Sequence, residues 1–188
     1  MKVTATALEG VRIVTPEVFE DPRGFFVETF HRERYCGDAP AFPEFVQDNW
    51  SRSRRGVLRG LHYQIGRPQA KLVQVVRGAI YDVAVDLRPG SPNFGKWLGV
   101  HLTDAEPQQL FVPEGFAHGF CVLSDVADVL YKCSDFYVPG DEGGLLWDDP
   151  YLGVQWPVGT PLLSEKDRNN PRLRDIPPER LPAGGGRR

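Results

Sequence analysis

Short runs of β-forming residues, closed off by turn residues, recur along nearly the whole chain and limit what it can fold into. The 20 glycines and 17 prolines fall largely between these runs. Candidate strands are Val11–Val14, Gly24–Phe30, Phe45–Ser51, Val57–Tyr63, Lys71–Arg77, Ala79–Leu87, Trp97–Leu102, Gln109–Val112, His118–Leu123, Ala127–Ser134 and Gly144–Trp147. Many short strands at such spacing predict an all-β sandwich or barrel. Arg77-Gly78, between two alternating runs, reads as a tight turn. Helices are short and peripheral: Phe30–Cys36 is one candidate and Ser164–Asp167 opens another. There is no internal repeat. Residues 1–175 read as one domain and 176–188, rich in Pro, Gly and Arg, as a flexible C-terminal tail.

Alternation also sorts the faces. In Ala79–Leu87, Tyr81, Val83, Val85 and Leu87 share one face, and Ile80, Asp82, Ala84 and Asp86 the other. The acidic face suits either a barrel wall lining a polar cavity or a strand open to solvent. Gln47, Asn49 and Ser51 share a face of their strand, and Val129, Tyr131 and Cys133 share a face of theirs.

Bulk properties narrow the partners. A net charge of -3 gives no basis for broad nucleic-acid binding. No apolar run approaches the roughly 20 residues that span a bilayer, and the N-terminus turns acidic too soon for a signal peptide. The expected location is the cytoplasm. Three cysteines, Cys36, Cys121 and Cys133, are odd in number and lack metal-type spacing.

Chemistry is concentrated around two of the four histidines. His118 ends Pro113-Glu114-Gly115-Phe116-Ala117-His118, a Pro-x-Gly-x-x-His string that resembles the second motif of the cupin superfamily. That likeness implies a cupin-type jelly-roll barrel, or double-stranded β-helix. The partner motif of metal-binding cupins supplies His-x-His and a nearby glutamate. Here the corresponding string is His62-Tyr63-Gln64, so a three-ligand metal site looks broken, and neither metal nor cofactor is expected. Acid–base work then falls to side chains, and the set available is His62, Lys71, Tyr131 and Asp167. Imidazole takes protons near neutral pH. Lysine can neutralise an oxyanion. A phenol stays protonated until needed, and a carboxylate can fix a histidine's tautomer.

Beyond that motif the chain resembles the dTDP-4-dehydrorhamnose 3,5-epimerases along nearly its whole length. The strings that carry the likeness are Asp21-Pro22-Arg23-Gly24-Phe25-Phe26-Val27-Glu28-Thr29-Phe30, Gln47-Asp48-Asn49-Trp50-Ser51-Arg52-Ser53 and Val57-Leu58-Arg59-Gly60-Leu61-His62-Tyr63-Gln64. Asp82-Val83-Ala84-Val85-Asp86-Leu87-Arg88, Pro113 to Phe120, Leu130-Tyr131-Lys132 and Leu163-Ser164-Glu165-Lys166-Asp167 follow in order. The resemblance implies His62 as general base, Tyr131 as general acid, Asp167 as the carboxylate orienting His62, and Lys71 beside the C4 oxygen. It implies contacts from Arg59 and His118 to the diphosphate or sugar. It assigns the nucleotide to Arg23, Glu28, Gln47 and Asn49, with Phe26 and Tyr137 against the thymine. Glu142 and Lys166 also fall at ligand-binding positions. The implied ligand is a dTDP-linked 4-keto-6-deoxy sugar, and the implied assembly is a homodimer whose N-terminal strands complete the partner's site.

Arg59 and His62 have opposite parity in a regular strand, so a shared ligand requires a bulge or strong twist at Gly60. Trp50 stands where many relatives carry histidine, and Phe136 where tyrosine is frequent. These departures leave both catalytic groups in place but do not separate a 3,5-epimerase from a C3-only or C5-only relative. Two competing functions are a metal-dependent cupin oxygenase, which the broken ligand set disfavours, and a non-catalytic sugar-nucleotide binder, which the intact acid–base set disfavours.

Overall fold

The computed structural model describes residues 1–37 and 42–183. Thirteen strands are present among them: β1 (Lys2–Ala5), β2 (Arg12–Thr15), β3 (Val18–Asp21), β4 (Gly24–Val27), β5 (Gln47–Arg54), β6 (Leu58–Gln64), β7 (Lys71–Arg77), β8 (Ala79–Asp86), β9 (Trp97–Thr103), β10 (Gln109–Val112), β11 (Phe116–Val122), β12 (Val126–Cys133) and β13 (Glu142–Gly144). Helices are confined to α1 (Arg32–Cys36), α2 (Glu165–Arg168) and two 3-10 turns at Leu173–Asp175 and Pro178–Arg180. None of the described helices is long and apolar enough to cross a membrane.

Two antiparallel sheets face each other, one ordered β1-β2-β10-β7-β12-β5 and the other β13-β6-β11-β8-β9. Alternation decides what lies between them. Val73 and Val75 of β7, Leu110 and Val112 of β10, and Ala127 and Val129 of β12 meet Ile80 and Ala84 of β8 and Phe116, Phe120 and Val122 of β11. The acidic face of β8 therefore points inward: Asp82 and Asp86 are both fully buried, which rules out a strand open to solvent.

The opposite face of the smaller sheet is not open to water either. Leu61, Tyr63, Val83, Val85, Leu87 and Ala117 are covered by Leu145, Leu152, Val154, Leu173 and Ile176 from the C-terminal stretch. This corrects the reading of residues 176–183 as part of a loose tail. The Tyr63 hydroxyl donates to the Arg180 carbonyl at 3.0 Å, and the Ala183 amide donates to the Ile65 carbonyl at 2.8 Å. The remainder of the expected tail lies outside the described residues.

Among the described residues, strands β3 and β4 pair only with each other. They form a hairpin with three exposed aromatic side chains, Phe19 (54%), Phe25 (63%) and Phe26 (69%).

Candidate active site

Pairing of β6 with β11 builds the centre of the site. His62 stands opposite His118, but Arg59 stands opposite Phe120, so β6 carries one more residue than its partner over that interval. This is a β-bulge, and it restores Arg59 and His62 to the same face despite their opposite parity. Gly60 makes it possible. Its φ is +123°, and a Cβ there would lie 2.5 Å from the Gly119 Cα and 2.8 Å from the His118 carbonyl oxygen.

Both side chains reach a cavity of about 570 Å³, lined also by Lys71, His118, Tyr131, Ser164, Lys166 and Asp167. A smaller hollow of about 180 Å³ shares His62, Lys71 and Tyr131 with it and adds Gln47, Asn49, Tyr137 and Glu142. Three of the four proposed catalytic groups thus stand where the two hollows share lining, and most of the expected ligand-binding residues surround them.

His62 Nε2 lies 2.5 Å from Asp167 Oδ1. Asp167 is buried in the first turn of α2, whose N-terminus is capped when the Ser164 hydroxyl accepts from the Asp167 amide. Burial alone would raise the Asp167 pKa, but hydrogen bonds from His62, Ser164 and the Gly60 amide outweigh it and hold the carboxyl below its usual range. The carboxylate takes Nε2 and leaves Nδ1 as the second nitrogen of His62 for proton chemistry.

Tyr131 projects from the inward face of β12, packed against the core. Burial pushes its phenol pKa up, with Cys133 adding to the effect and Arg59 opposing it. Lys71 opens β7 beside Cys133, its register partner on β12. Burial pushes its ammonium pKa down, against the pull of Cys133 and Asp82.

Other side chains shape the cavity. The Arg59 Nε donates to the Ser53 hydroxyl at 2.9 Å. Lys166 Nζ meets Glu142 Oε2 at 2.5 Å. Gln47 donates to the Asn49 side-chain oxygen at 3.0 Å and accepts from the Tyr137 amide at 2.9 Å, joining three of the expected nucleotide contacts. Gln64, which replaces the second histidine of the metal motif, has a structural use. Its amide group donates to the Arg67 and Phe136 carbonyls and accepts from the Val138 amide, pinning the segment that carries Tyr137. Among the described residues, no group of three His, Cys, Asp or Glu side chains is placed to hold a metal ion.

Arg23, Phe26 and Glu28 are not brought to this cavity within one chain. Arg23 pairs with Asp21 at the tip of the hairpin, Phe26 is exposed, and the Arg34 Nε donates to Glu28 at 3.0 Å. Conversely, Ser51, Arg54 and Ser164 line the cavity without having been singled out from sequence. Ser51 continues the Gln47–Asn49 face, and that parity was a usable signal. Arg54 breaks the parity and gave none.

Residues 5–175 match the family model described as dTDP-4-dehydrorhamnose 3,5-epimerase. The chain belongs to this family. A dTDP-4-dehydrorhamnose 3,5-epimerase from Shigella flexneri is 51% identical over 176 residues, covering 93% of this chain and 97% of the relative. Another from Neisseria gonorrhoeae is 55% identical over 168 residues, and although the match takes in 89% of this chain it spans only 51% of that longer relative. Among solved structures, the dTDP-6-deoxy-D-glucose-3,5-epimerase from Legionella pneumophila Philadelphia 1, in complex with dTDP-4-keto-L-rhamnose, is 47% identical. It superposes with a TM-score of 0.93 over 96% of this chain and 97% of that one. The two-sheet barrel is accordingly the cupin-type jelly roll of this family.

Proposed function

We propose that the protein is an isomerase that inverts C3 and C5 of a dTDP-linked 4-keto-6-deoxyhexose, in dTDP-L-rhamnose or related deoxysugar biosynthesis. The carrying observation is the shared cavity of the His62–Asp167 pair, Tyr131 and Lys71.

A carbon beside a ketone is acidic only if the enolate oxygen is stabilised as it forms. In this reading His62 removes the proton, and Asp167 stabilises the imidazolium that results. The Lys71 ammonium faces the C4 oxygen and neutralises the enolate. Tyr131, kept protonated by burial, delivers a proton to the opposite face of the ring. Solvent then takes the proton from the His62 imidazolium and returns one to the Tyr131 phenolate, and the cycle repeats at the other carbon. Arg59, His118, Gln47, Asn49, Tyr137, Glu142 and Lys166 hold the nucleotide and sugar.

The same reading makes the protein a homodimer. The β3–β4 hairpin, with its exposed phenylalanines, would carry Arg23, Phe26 and Glu28 into the partner's nucleotide site. It also places the enzyme in the cytoplasm, in keeping with the free thiols of Cys36, Cys121 and Cys133.

Turnover in D₂O followed by mass spectrometry tests the reaction. Deuterium at both C3 and C5 is expected. Label at one carbon would narrow the enzyme to a mono-epimerase, and no label at either would overturn the proposal.

A further inference from the structure

One end of the large cavity carries donors that the proton transfers leave unused. Ser51, Arg54 and Arg59 line it together. The Ser51 Oγ is buried yet has no hydrogen-bond partner among the described residues, whereas a buried hydroxyl is normally bonded. Arg54 makes no ion pair or side-chain hydrogen bond among the described residues, although Arg52 and Arg55 beside it are paired with Asp128 and Asp125. Arg59 donates from Nε to the Ser53 hydroxyl and meets no carboxylate among the described residues. Asp167, the one carboxylate among the described residues lining this cavity, is taken by His62. Two guanidiniums and a hydroxyl without an acid call for a ligand with several negatively charged oxygens.

We propose that Ser51, Arg54 and Arg59 form a phosphate-binding corner of the cavity, with Ser51 and Arg54 as contacts that family likeness does not assign. Position sets this corner apart from the other polar end. Asn49 is the register partner of Tyr131, Ser51 of Val129 and Arg54 of Val126, while Gln47 lies on the opposite side of the Tyr131 row. At about 3.4 Å per residue, Ser51 and Arg54 lie roughly 7 and 17 Å along β5 from that row. Each guanidinium offers paired N–H donors to phosphate oxygens, and the Ser51 hydroxyl adds another. The apolar Val57, Leu58 and Leu162 that line the same cavity limit screening of these charges. The phosphate is the diphosphate of the sugar nucleotide or a free inorganic phosphate held beside the sugar. The first source rests on the epimerase reading of the cavity, and the second does not.

Calorimetry on the full-length protein tests the corner with dTDP, with thymidine, and with inorganic phosphate added to the dTDP complex. Arg54→Gln keeps a polar side chain and removes the charge. If the diphosphate is the ligand, Arg54→Gln weakens dTDP about 5- to 50-fold and leaves thymidine within about twofold. If free phosphate is the ligand, the wild type takes up inorganic phosphate beside dTDP, and Arg54→Gln weakens that step by a similar factor while dTDP holds. Ser51→Ala should weaken the same probe about 2- to 10-fold. It should not lower Tm, because the hydroxyl it removes makes no bond within the protein. Arg55→Gln, next in the chain and outside the cavity lining, should leave every probe within about twofold. Unchanged binding of both phosphate probes in Arg54→Gln, an equal loss for thymidine, or an equal loss in Arg55→Gln would each overturn the proposal. Deuterium uptake by the wild type reports separately on the epimerase reading. Uptake with unchanged phosphate binding removes only the corner, and weakened phosphate binding without uptake removes only the reaction.

Discussion

His62 and Asp167 are 105 residues apart in the chain yet share a hydrogen bond of 2.5 Å. One sits beside a bulge in a central strand and the other in a single turn of helix, so the pair exists only when the C-terminal stretch docks on the barrel. Asp167→Asn keeps the shape but removes the charge that, in the proposed mechanism, stabilises imidazolium. It is expected to lower kcat about 10- to 100-fold with little change in KM. His62→Ala should cost more, about 10²- to 10⁴-fold in kcat, while affinity for dTDP measured by calorimetry stays near wild type.

Gly60 offers a test of how the bulge places these groups. Any side chain there meets the Gly119 backbone and must also hold a φ of +123°. Gly60→Ala is expected to lose at least about 1–3 kcal/mol from the backbone conformation alone. Thermal unfolding would show it as a lowered Tm. Arg59 and His62 would lose their common face, so activity at a temperature where the variant is folded should fall as well. A variant with wild-type Tm and kcat would show that the bulge does not depend on glycine.

The barrel was legible because its inner strands are short β-forming runs closed off by turn residues. β7, β8, β10 and β12 fall where those runs place them. β1 and β3 were missed: they are only four residues long and largely exposed. The packing of Ile176 and Leu181 escaped notice because irregular chain leaves no periodic trace. Among site residues, the partnership of His62 with Asp167 could be drawn only from family likeness, since no spacing rule joins a strand to a distant helix turn. Asp82 was visible as a residue but ambiguous as a role. Alternation reports that two acids share a face, and only the opposing sheet determines whether that face is wet.

Asp86 gives a pH prediction with a definite sign. Burial would raise its pKa, but the Arg88 guanidinium, the Arg88 amide and the Ser91 hydroxyl together hold it below the ordinary 3.8. A carboxyl with a folded pKa below its unfolded one stabilises the fold above the unfolded value. That stabilisation is lost as pH falls through the folded value. Asp86→Asn should therefore destabilise the protein at pH 7, on the order of 3 kcal/mol for a broken buried pair. The gap from wild type should begin to narrow below about pH 4, the unfolded value, and close only as pH falls through the lower folded value. Urea unfolding at both pH values measures it. A gap that persists unchanged at low pH would assign the loss to packing rather than charge.

The hairpin of β3 and β4 yields the sharpest test of shared sites. If the arm of one subunit completes the cavity of another, Arg23→Glu and His62→Ala damage different halves of each site. Each homodimer should then be nearly inactive. Co-expression of the two variants should form mixed dimers in which one site combines an intact cavity with an intact arm. A statistical mixture would restore about a quarter of the wild-type sites. Sites built from a single chain predict no restoration at any mixing ratio. Sedimentation of each variant shows whether it still pairs, so a failed complementation cannot be mistaken for a failed dimer. Phe26→Ala adds a graded version, because loss of one stacking face should raise KM by about 2- to 10-fold while leaving kcat at saturation intact.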